Sequence, residues 1–335
     1  MKKLIALLIV SVLIVGLFAA CQTPPPPPVP PADTTDDTGD APEAAPPTAD
    51  GAPLRIGFSM PERDPWLSFL EGAAIERAAE LGIELIVQDA QQDINTQMSH
   101  VQAFAAQQVD AIIVGILEAP FTEVLVNYAD GIPLIFVNRT PVEEFLELPN
   151  VGFVGSDEWT SGAFQAEFLA EHFAGRTEPI SYVLFMGILG HPATAARSAS
   201  FRQGMEEAGF ELNNVFEQTA NFDRAQALDL MQQFLGTGVE FDAVISNNDE
   251  MALGAFEALR AVGMTDVPVL GIDASPHAVA SIVAGEMAAS VFQNPVGQGA
   301  GAVDKAVAAA RGESFPSITW VPFELVNPEN VANYQ

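Results

Sequence analysis

The sequence predicts an α/β fold of two similar lobes, each a parallel sheet with helices on both faces. From Leu54 onward, short apolar segments typical of buried strands alternate with segments that repeat apolar residues at helical spacing. Such regular alternation favours parallel sheets flanked by helices. The same alternation of strand-like and helix-like segments occurs before and after about residue 156, which indicates two lobes of similar construction. With 335 residues and 49% hydrophobic content, the chain can bury two cores.

The predicted strands are apolar runs short enough to be buried on both faces of a sheet. They cover residues 54–58, 83–87, 111–116, 133–137, 151–154, 182–186, 215–220, 243–245, 267–272 and 288–292. The stretch 317–326 alternates apolar residues around Pro322 and is not expected to form a helix.

The predicted helices follow these strands and repeat apolar residues three or four positions apart. They cover residues 94–107, 121–128, 160–173, 195–207, 224–235, 250–261, 276–284 and 297–311. Asn248 or Asp249 can cap the helix that opens at Glu250, and Ser275 precedes a first-turn proline at Pro276.

The first 20 residues are predicted to be a secretory signal peptide. Lys2 and Lys3 precede an uncharged apolar run over 4–20, and small residues lie just before Cys21, an arrangement typical of exported proteins. An uncleaved membrane-anchor helix is the alternative, because the 17 apolar residues approach the shortest length that spans a bilayer.

Cys21 is the one cysteine of the chain, so no intramolecular disulfide can form. Residues 17–21, with the sequence LFAAC, resemble the lipobox of bacterial lipoproteins, in which the cysteine becomes the lipid-modified first residue of the mature chain. The resemblance implies lipidation of Cys21 and an extracytoplasmic protein that is anchored to the cell membrane.

The segment 21–53 and the charge of the chain both favour a role outside the cytoplasm. Pro, Ala, Thr and Asp dominate from Thr23 to Pro53, and a segment so poor in apolar side chains is expected to form an extended, solvated tether. The formal net charge of −31 makes nucleic acid and anionic lipid headgroups poor partners.

Polar and aromatic side chains follow seven of the predicted strands at the point where each strand ends. Because open parallel sheets bind ligands beyond the carboxyl ends of their strands, we expect these side chains to meet at one site. Planar amide, carboxylate and guanidinium groups each engage two neighbouring hydroxyls, so the set favours recognition of a neutral polyhydroxylated ligand. The candidate residues are Asp64, Trp66, Asn138, Arg139, His191, Arg197, Phe222, Asn248, Asp273 and Gln293.

Taken singly, several of these residues have a purely structural alternative. Asn248 can be a helix cap, Trp66 a core residue, Arg139 an ion-pair partner and His191 a satisfied loop residue. Unrelated caps and core residues would not repeatedly fall at the same end of the strands, so the set favours a ligand site more strongly than any one member does.

The sequence lacks the motifs of common catalytic and metal sites. His100, His172, His191 and His277 are far apart, and none has ligand spacing with another histidine or a cysteine. Residues 187–190 lack the second glycine, lysine and hydroxyl of a phosphate-binding loop, and no G-x-S-x-G motif is present. We therefore expect no catalytic residue, no metal and no cofactor.

At these residues the chain resembles the periplasmic sugar-binding proteins of ABC transporters, in the ribose- and galactose/glucose-binding group. The resemblance covers residues 54–331, essentially the whole folded body. Its most specific stretches are DAQQD at 89–93, GHPATAAR at 190–197, NNDEMALG at 247–254 and GID at 271–273. The family implies the type I periplasmic binding protein fold, with three chain crossings near 155–157, near 293–295 and between 320 and 327.

The resemblance also implies a role for each candidate residue. His191 corresponds to a ligand residue of galactose/glucose binders and Arg139 to an arginine that ribose binders use, while Trp66 and Phe222 would sandwich the sugar ring. The residues implied to hydrogen-bond the ligand are Asp64, Asn138, Arg197, Asn248, Asp273 and Gln293.

Two departures from the family pattern bear on the ligand. Ala193 stands where galactose/glucose binders carry an aspartate, and losing such a partner without replacement costs about 1–3 kcal/mol. Residues 175–181 lack the acidic calcium loop of that subgroup, so no structural calcium is expected. The site is therefore interpreted as a hybrid of the two subgroups.

The predicted protein is a monomeric, lipid-anchored binding protein that delivers a monosaccharide to the permease of an ABC importer. A glucose- or galactose-like hexose is expected first and ribose next, with inositol or another polyol as the alternative. The predicted parts are the signal peptide (1–20), the lipidated cysteine and tether (21–53), the N-terminal lobe (54–155 and 295–320) and the C-terminal lobe (156–294 and 321–335).

Two other functions use the same residues. A sugar sensor would present its closed form to a chemoreceptor or sensor kinase and would differ only in its partner. A secreted carbohydrate-active enzyme would use Asp64 and Asp273 as acid and base, but the chemistry of the set suits recognition better than reaction.

Overall fold

The computed structural model describes residues 52–335, so the predicted signal peptide, Cys21 and nearly all of the predicted tether lie outside the described residues. Strands and helices alternate along almost the whole of this part of the chain. Among its helices, none is both long and apolar enough to cross a lipid bilayer.

Each strand has between two and eight residues, and most strands are followed by a helix. The strands are β1 (Arg55–Met60), β2 (Glu84–Asp89), β3 (Ala111–Val114), β4 (Leu134–Val137), β5 (Val151–Gly155), β6 (Ile180–Met186), β7 (Leu212–Thr219), β8 (Ala243–Ser246), β9 (Val269–Leu270), β10 (Ser290–Gln293), β11 (Ile318–Trp320) and β12 (Phe323–Val326). The helices are α1 (Pro65–Glu80), α2 (Ile94–Ala106), α3 (Thr122–Tyr128), α4 (Glu158–His172), α5 (Pro192–Glu207), α6 (Arg224–Leu235), α7 (Asp249–Ala261), α8 (Pro276–Val283) and α9 (Pro295–Ala310).

The first sheet has six parallel strands in the order β2-β1-β3-β4-β5-β11. Successive residues of a strand point to opposite faces. Ile113 of β3 accordingly packs with Leu70 of α1 and Val303 of α9, whereas Ile112 packs with Phe104 of α2 on the other face. Helices on both faces explain why the central strands are apolar throughout.

The second sheet has four parallel strands in the order β7-β6-β8-β9. Isolated bridges between Leu270 and Ala289 and between Asp273 and Phe292 continue it to β10, which pairs antiparallel with β12. Buried residues of β8 pack with α6 and α7 on one face and with α4 and α5 on the other. This sheet is therefore also covered on both sides.

The chain passes between the two sheets three times. β5 of the first sheet leads to α4, which packs beside the second; β10 leads to α9, which packs on the first; and β11 of the first sheet leads directly to β12. Two parallel sheets, each flanked by helices and joined by three crossings, confirm the predicted fold class.

Several elements differ from their predicted bounds by a few residues, and three of these differences have identifiable reasons. α5 begins at Pro192 rather than at residue 195, because a first-turn proline lacks only an N–H that would be unpaired anyway. β9 is limited to Val269–Leu270, since the backbone turns left-handed at Asp273 with φ 124°. The helix predicted at 121–128 begins at Thr122, because Phe121 belongs to a preceding 3₁₀ turn, Ala119–Phe121.

A glycine allows α4 to lie directly against α5, the helix that carries Arg197. A Cβ atom on Gly162 would lie 2.2 Å from the carbonyl oxygen of Arg197 and 2.2 Å from Ser200 Oγ. Both distances are far shorter than atoms tolerate, so any larger residue must push the two helices apart.

We predict that Gly162→Ala lowers the free energy of unfolding by about 1–3 kcal/mol, because the added methyl group overpacks the α4–α5 contact. Gly72→Ala is the matched control, since a Cβ at that exposed position of α1 has nothing within 4 Å. The control should stabilise the protein by about 0.5–1 kcal/mol through helix propensity. Urea unfolding of both variants measures the difference, and equal effects would contradict the packing argument.

Candidate ligand-binding site

A cleft lies beyond the carboxyl ends of the strands of both sheets and opens to solvent. Its walls come from the segments that follow β1 and β4 of the first sheet and β6 to β10 on the other side. All ten candidate residues line it, although their contact with a ligand stays a prediction. They are Asp64, Trp66, Asn138, Arg139, His191, Arg197, Phe222, Asn248, Asp273 and Gln293.

Three of the ten candidate side chains are also N-caps of helices. Asp64 Oδ1 accepts from the Leu67 N–H at 2.7 Å, and Asn248 Oδ1 accepts from the Met251 N–H at 3.0 Å. His191 caps α5 in the same way. The cap and ligand interpretations of Asn248 are therefore compatible, and Asn248 rather than Asp249 is the cap of α7.

Arg197 is the most extensively bonded side chain of the cleft. It is 5% exposed, and its Nε donates to Glu158 Oε2 at 2.7 Å. Nη1 donates to the carbonyl oxygen of Asn247 at 2.6 Å, and Nη2 donates to Gln293 Oε1 at 3.3 Å. One guanidinium group thus links the starts of α4 and α5 to the ends of β8 and β10.

Glu158 lines the cleft, and the sequence analysis did not select it. Its Oε2 atom accepts from Arg197, and its Oε1 atom accepts from Gln293 Nε2 at 3.4 Å. The sequence offered only an indirect indication of this role. A buried arginine requires a counter-ion, and Glu158 is an acidic residue at the start of the helix that follows the first crossing.

On the first-sheet side, two contacts fix the polar side chains that follow β4. Arg139 Nη2 donates to Glu62 Oε1 at 2.6 Å, so Arg139 is an ion-pair partner as well as a lining residue. Asn138 Nδ2 donates to Gln298 Oε1 at 3.2 Å. This bond orients the amide and leaves Asn138 Oδ1 as an acceptor for the cleft.

Aromatic rings line the cleft from both sides, with Trp66 and Phe69 of α1 on one side and Phe222 on the other. Trp66 of α1 donates its indole N–H to the carbonyl oxygen of Gln293 at 3.1 Å, which fixes the plane of the ring. Phe222 lies edge-on to His191 with ring centroids 5.6 Å apart. A Cβ on Gly187 would lie 2.0 Å from Phe222 Cζ, so only glycine leaves room for this ring.

Two carboxyl groups face the cleft in environments that disfavour their charge. Burial raises the pKa of Asp273 well above its ordinary value; Arg197 opposes the shift, and the carboxylates of Asp249 and Asp64 add to it. Burial also raises the pKa of Asp64. Within the described residues the Asp273 side chain makes no hydrogen bond, so both its oxygens are free for ligand hydroxyls.

His191 is a neutral donor in the cleft. Burial, together with the nearby charges of Arg139 and Arg197, lowers its pKa to about 3. Because Nδ1 accepts from the Ala193 N–H at 3.2 Å, the ring proton belongs on Nε2. The site thus offers carboxyl acceptors, cationic and neutral donors and amides, a set suited to polyol recognition.

The chain matches the family model of the periplasmic binding protein domain over residues 56–314. It belongs to the periplasmic binding protein family. A Rhizobium meliloti protein to which rhizopine binding is assigned is 40% identical to this periplasmic binding protein over 289 residues, 84% of this chain and 92% of the relative.

Two solved structures of similar proteins contain myo-inositol. An ABC transporter solute-binding protein from Bacillus halodurans C-125 is 40% identical, with a TM-score of 0.79, over 86% of this chain and 99% of that chain. The Caulobacter myo-inositol binding protein is 28% identical, with a TM-score of 0.75, over 86% of this chain and 97% of that chain.

Membership of this family confirms that the protein is a solute-binding protein and not an enzyme. It is a sugar- or polyol-binding protein of an ABC transporter and works outside the cytoplasm. Within residues 52–335, no three His, Cys, Asp or Glu side chains are grouped so as to hold a metal ion. Lipid anchoring through Cys21 stays a prediction.

We predict that Asp273→Asn stabilises the ligand-free protein increasingly as the pH rises. Above the ordinary pKa of 3.8, the unfolded chain releases a proton that the folded protein retains, so wild-type stability falls as the pH rises toward the folded pKa. The neutral amide avoids this loss. Its gain in Tm over the wild type should therefore be larger at about pH 8 than at about pH 4.

Thermal unfolding at both pH values checks this prediction. Asp266→Asn is the matched control, because Asp266 is an exposed acidic residue that precedes β9 and does not line the cleft. A gain from Asp273→Asn that did not change with pH, or an equal gain from the control, would contradict the proposed environment of Asp273.

Proposed function

We propose that the cleft captures a cyclic polyol of the inositol class and that the liganded protein delivers it to the membrane subunits of an ABC importer. The observation that carries the proposal is the 40% identity, over 86% of this chain, to a solute-binding protein with bound myo-inositol. The sequence alone favoured a hexose, with inositol as the alternative. The two inositol-bound relatives now favour the alternative, while hexose and ribose remain competing ligands.

The polar groups of the cleft suit a ring with a hydroxyl on every carbon. An inositol ring has no ring oxygen, so its whole edge requires hydrogen-bonding partners. Asp64 and Asp273 supply acceptors, and Arg139, Arg197 and His191 supply donors. Each planar group engages two neighbouring hydroxyls, which favours a vicinal polyol.

The aromatic residues suit the two faces of such a ring. We infer that Trp66 and Phe222 cover the C–H faces, since they line the cleft from different sides. Ala193 also lines the cleft and presents no polar group there. A ligand hydroxyl directed at Ala193 would lose a partner, at a cost of about 1–3 kcal/mol.

Binding from both sides would close the cleft. The proposed lobes comprise 54–155 with 295–320 and 156–294 with 321–335, and the three crossings would act as the hinge. Asp64 and Asp273 come from different lobes, so a ligand that bonds both binds the closed state better than the open one. Only such differential affinity shifts the equilibrium, and the closed form is what the permease would recognise.

We predict that myo-inositol raises the Tm of the protein more than glucose, galactose or ribose does at equal concentration. At a concentration about 100-fold above Kd, a ligand that binds only the folded state stabilises it by about 2.7 kcal/mol. A thermal-shift series with the four compounds measures the order of the Tm increases. A larger shift with a hexose or ribose would overturn the inositol assignment, and no shift with any polyol would overturn the ligand class.

We predict that polyol binding changes the intrinsic fluorescence through Trp66. The chain has 3 tryptophans, and Trp159 and Trp320 are 45% and 52% exposed, whereas Trp66 lines the cleft. Trp66→Phe should remove the ligand-induced change while retaining an aromatic ring. Trp320→Phe is the control and should keep the change; its loss in the control would place the reporter outside the cleft.

A further inference from the structure

A buried pair outside the cleft holds the turn that carries Asp273. Asp249 and Ser290 do not line the cleft, and they are 0% and 1% exposed. Asp249 opens α7 and Ser290 opens β10, so the pair joins two elements that are distant in the sequence. Neither residue has a role in the ligand contacts described above.

The turn needs support, because two successive residues with side chains adopt left-handed backbone conformations. Asp273 has φ 124° and Ala274 has φ 47°. L-residues rarely occupy this region, and such conformations persist only where the surroundings hold them. Without support, the backbone at Asp273 would relax and its carboxylate would change direction.

Asp249 and Ser290 supply that support through a closed set of hydrogen bonds. Ala274 N–H donates to Ser290 Oγ at 3.0 Å, and Ser275 N–H donates to Asp249 Oδ2 at 2.7 Å. Ser290 Oγ in turn donates to Asp249 Oδ1 at 2.6 Å. The two N–H groups that directly follow Asp273 are therefore both held by this pair.

The main chain around the pair is shaped to admit it. A Cβ on Gly271 would lie 2.2 Å from Asp249 Oδ1, so the carboxylate occupies space that only glycine leaves. Asp273 N–H donates to the carbonyl oxygen of Val291 at 2.8 Å, which fixes the residue to β10 on its other side. Asp273 is thus held from both directions.

We propose that Asp249 and Ser290 are positioning residues that aim the Asp273 carboxylate at the ligand and thereby set polyol affinity. The ligand part of this inference rests on the proposed function. The carboxylate accepts hydrogen bonds from hydroxyls that lie in its own plane. A rotation of the turn would therefore change which pair of hydroxyls it can bond. The pair acts on the ligand only through Asp273.

The first test measures amide hydrogen exchange in the ligand-free protein. Ser290→Ala removes the acceptor of Ala274 N–H, and exchange at Ala274 should accelerate by at least about tenfold. Ser281→Ala is the matched control, since Ser281 is a 4% exposed serine of α8 whose hydroxyl bonds Glu286. Unchanged exchange at Ala274 in Ser290→Ala would overturn the proposal.

The second test is a double-mutant cycle with calorimetric titration of myo-inositol. Ser290→Ala should weaken binding about tenfold in the wild-type background. In the Asp273→Asn background, Ser290→Ala should change the Kd for myo-inositol by a factor near one. The reason is that the side chain through which the serine acts has been altered. Equal factors in the two backgrounds would show that Ser290 does not act through Asp273.

Asp249→Ala gives an independent variant. It removes the acceptors of both Ser275 N–H and the Ser290 hydroxyl, so exchange at Ser275 should accelerate and binding should weaken. Unaltered exchange and affinity in this variant would overturn the role of Asp249. A wild-type protein that bound no polyol would overturn the proposed function, whereas the exchange rates decide the positioning role without ligand.

Discussion

The arrangement of the cleft depends on the buried guanidinium of Arg197. A charge taken out of water is tolerated only where its donors are satisfied, and Arg197 bonds Glu158, Gln293 and the carbonyl oxygen of Asn247. Glu158 opens the helix after the first crossing, and Gln293 is the last residue before the second. The Arg197 side chain therefore positions part of the cleft lining. It also holds the first two chain crossings, which are proposed to act as hinge segments.

The cleft is locally unfavourable in several respects, which ligand binding as proposed would offset. Asp273 and Asp64 carry carboxyl groups whose burial raises their pKa values, and His191 is held neutral by burial and two arginines. Asn138 and Phe222 have left-handed backbones with φ 66° and 60°. Functional sites commonly retain such features at the expense of stability. In the proposed complex, a polyol would supply hydroxyl partners to these groups.

The strand-end residues were predictable because one rule governs them all: parallel strands present their carboxyl ends at the same edge. Glu158 and Asp249 were not predictable in this way. Glu158 resembles an ordinary acidic residue of a first helical turn until the burial of Arg197 reveals its partner. Asp249 was one of two possible caps, yet Asn248 caps α7 and Asp249 points inward to Ser275 and Ser290. Both roles depend on contacts between distant elements, which local sequence patterns do not encode.

The same limit explains why the proposal of inositol rather than a hexose came from relatives and not from the residues of the cleft. Polyol isomers differ in whether single hydroxyls lie axial or equatorial, so discrimination depends on where a few planar groups point. The chain resembles both ribose and galactose/glucose binders in its residue types, which therefore decide little. Two features that bear on selectivity are the apolar lining residue Ala193 and the left-handed turn that carries Asp273. Under the proposed function, selectivity would depend on backbone geometry as much as on the side chains that would contact the ligand.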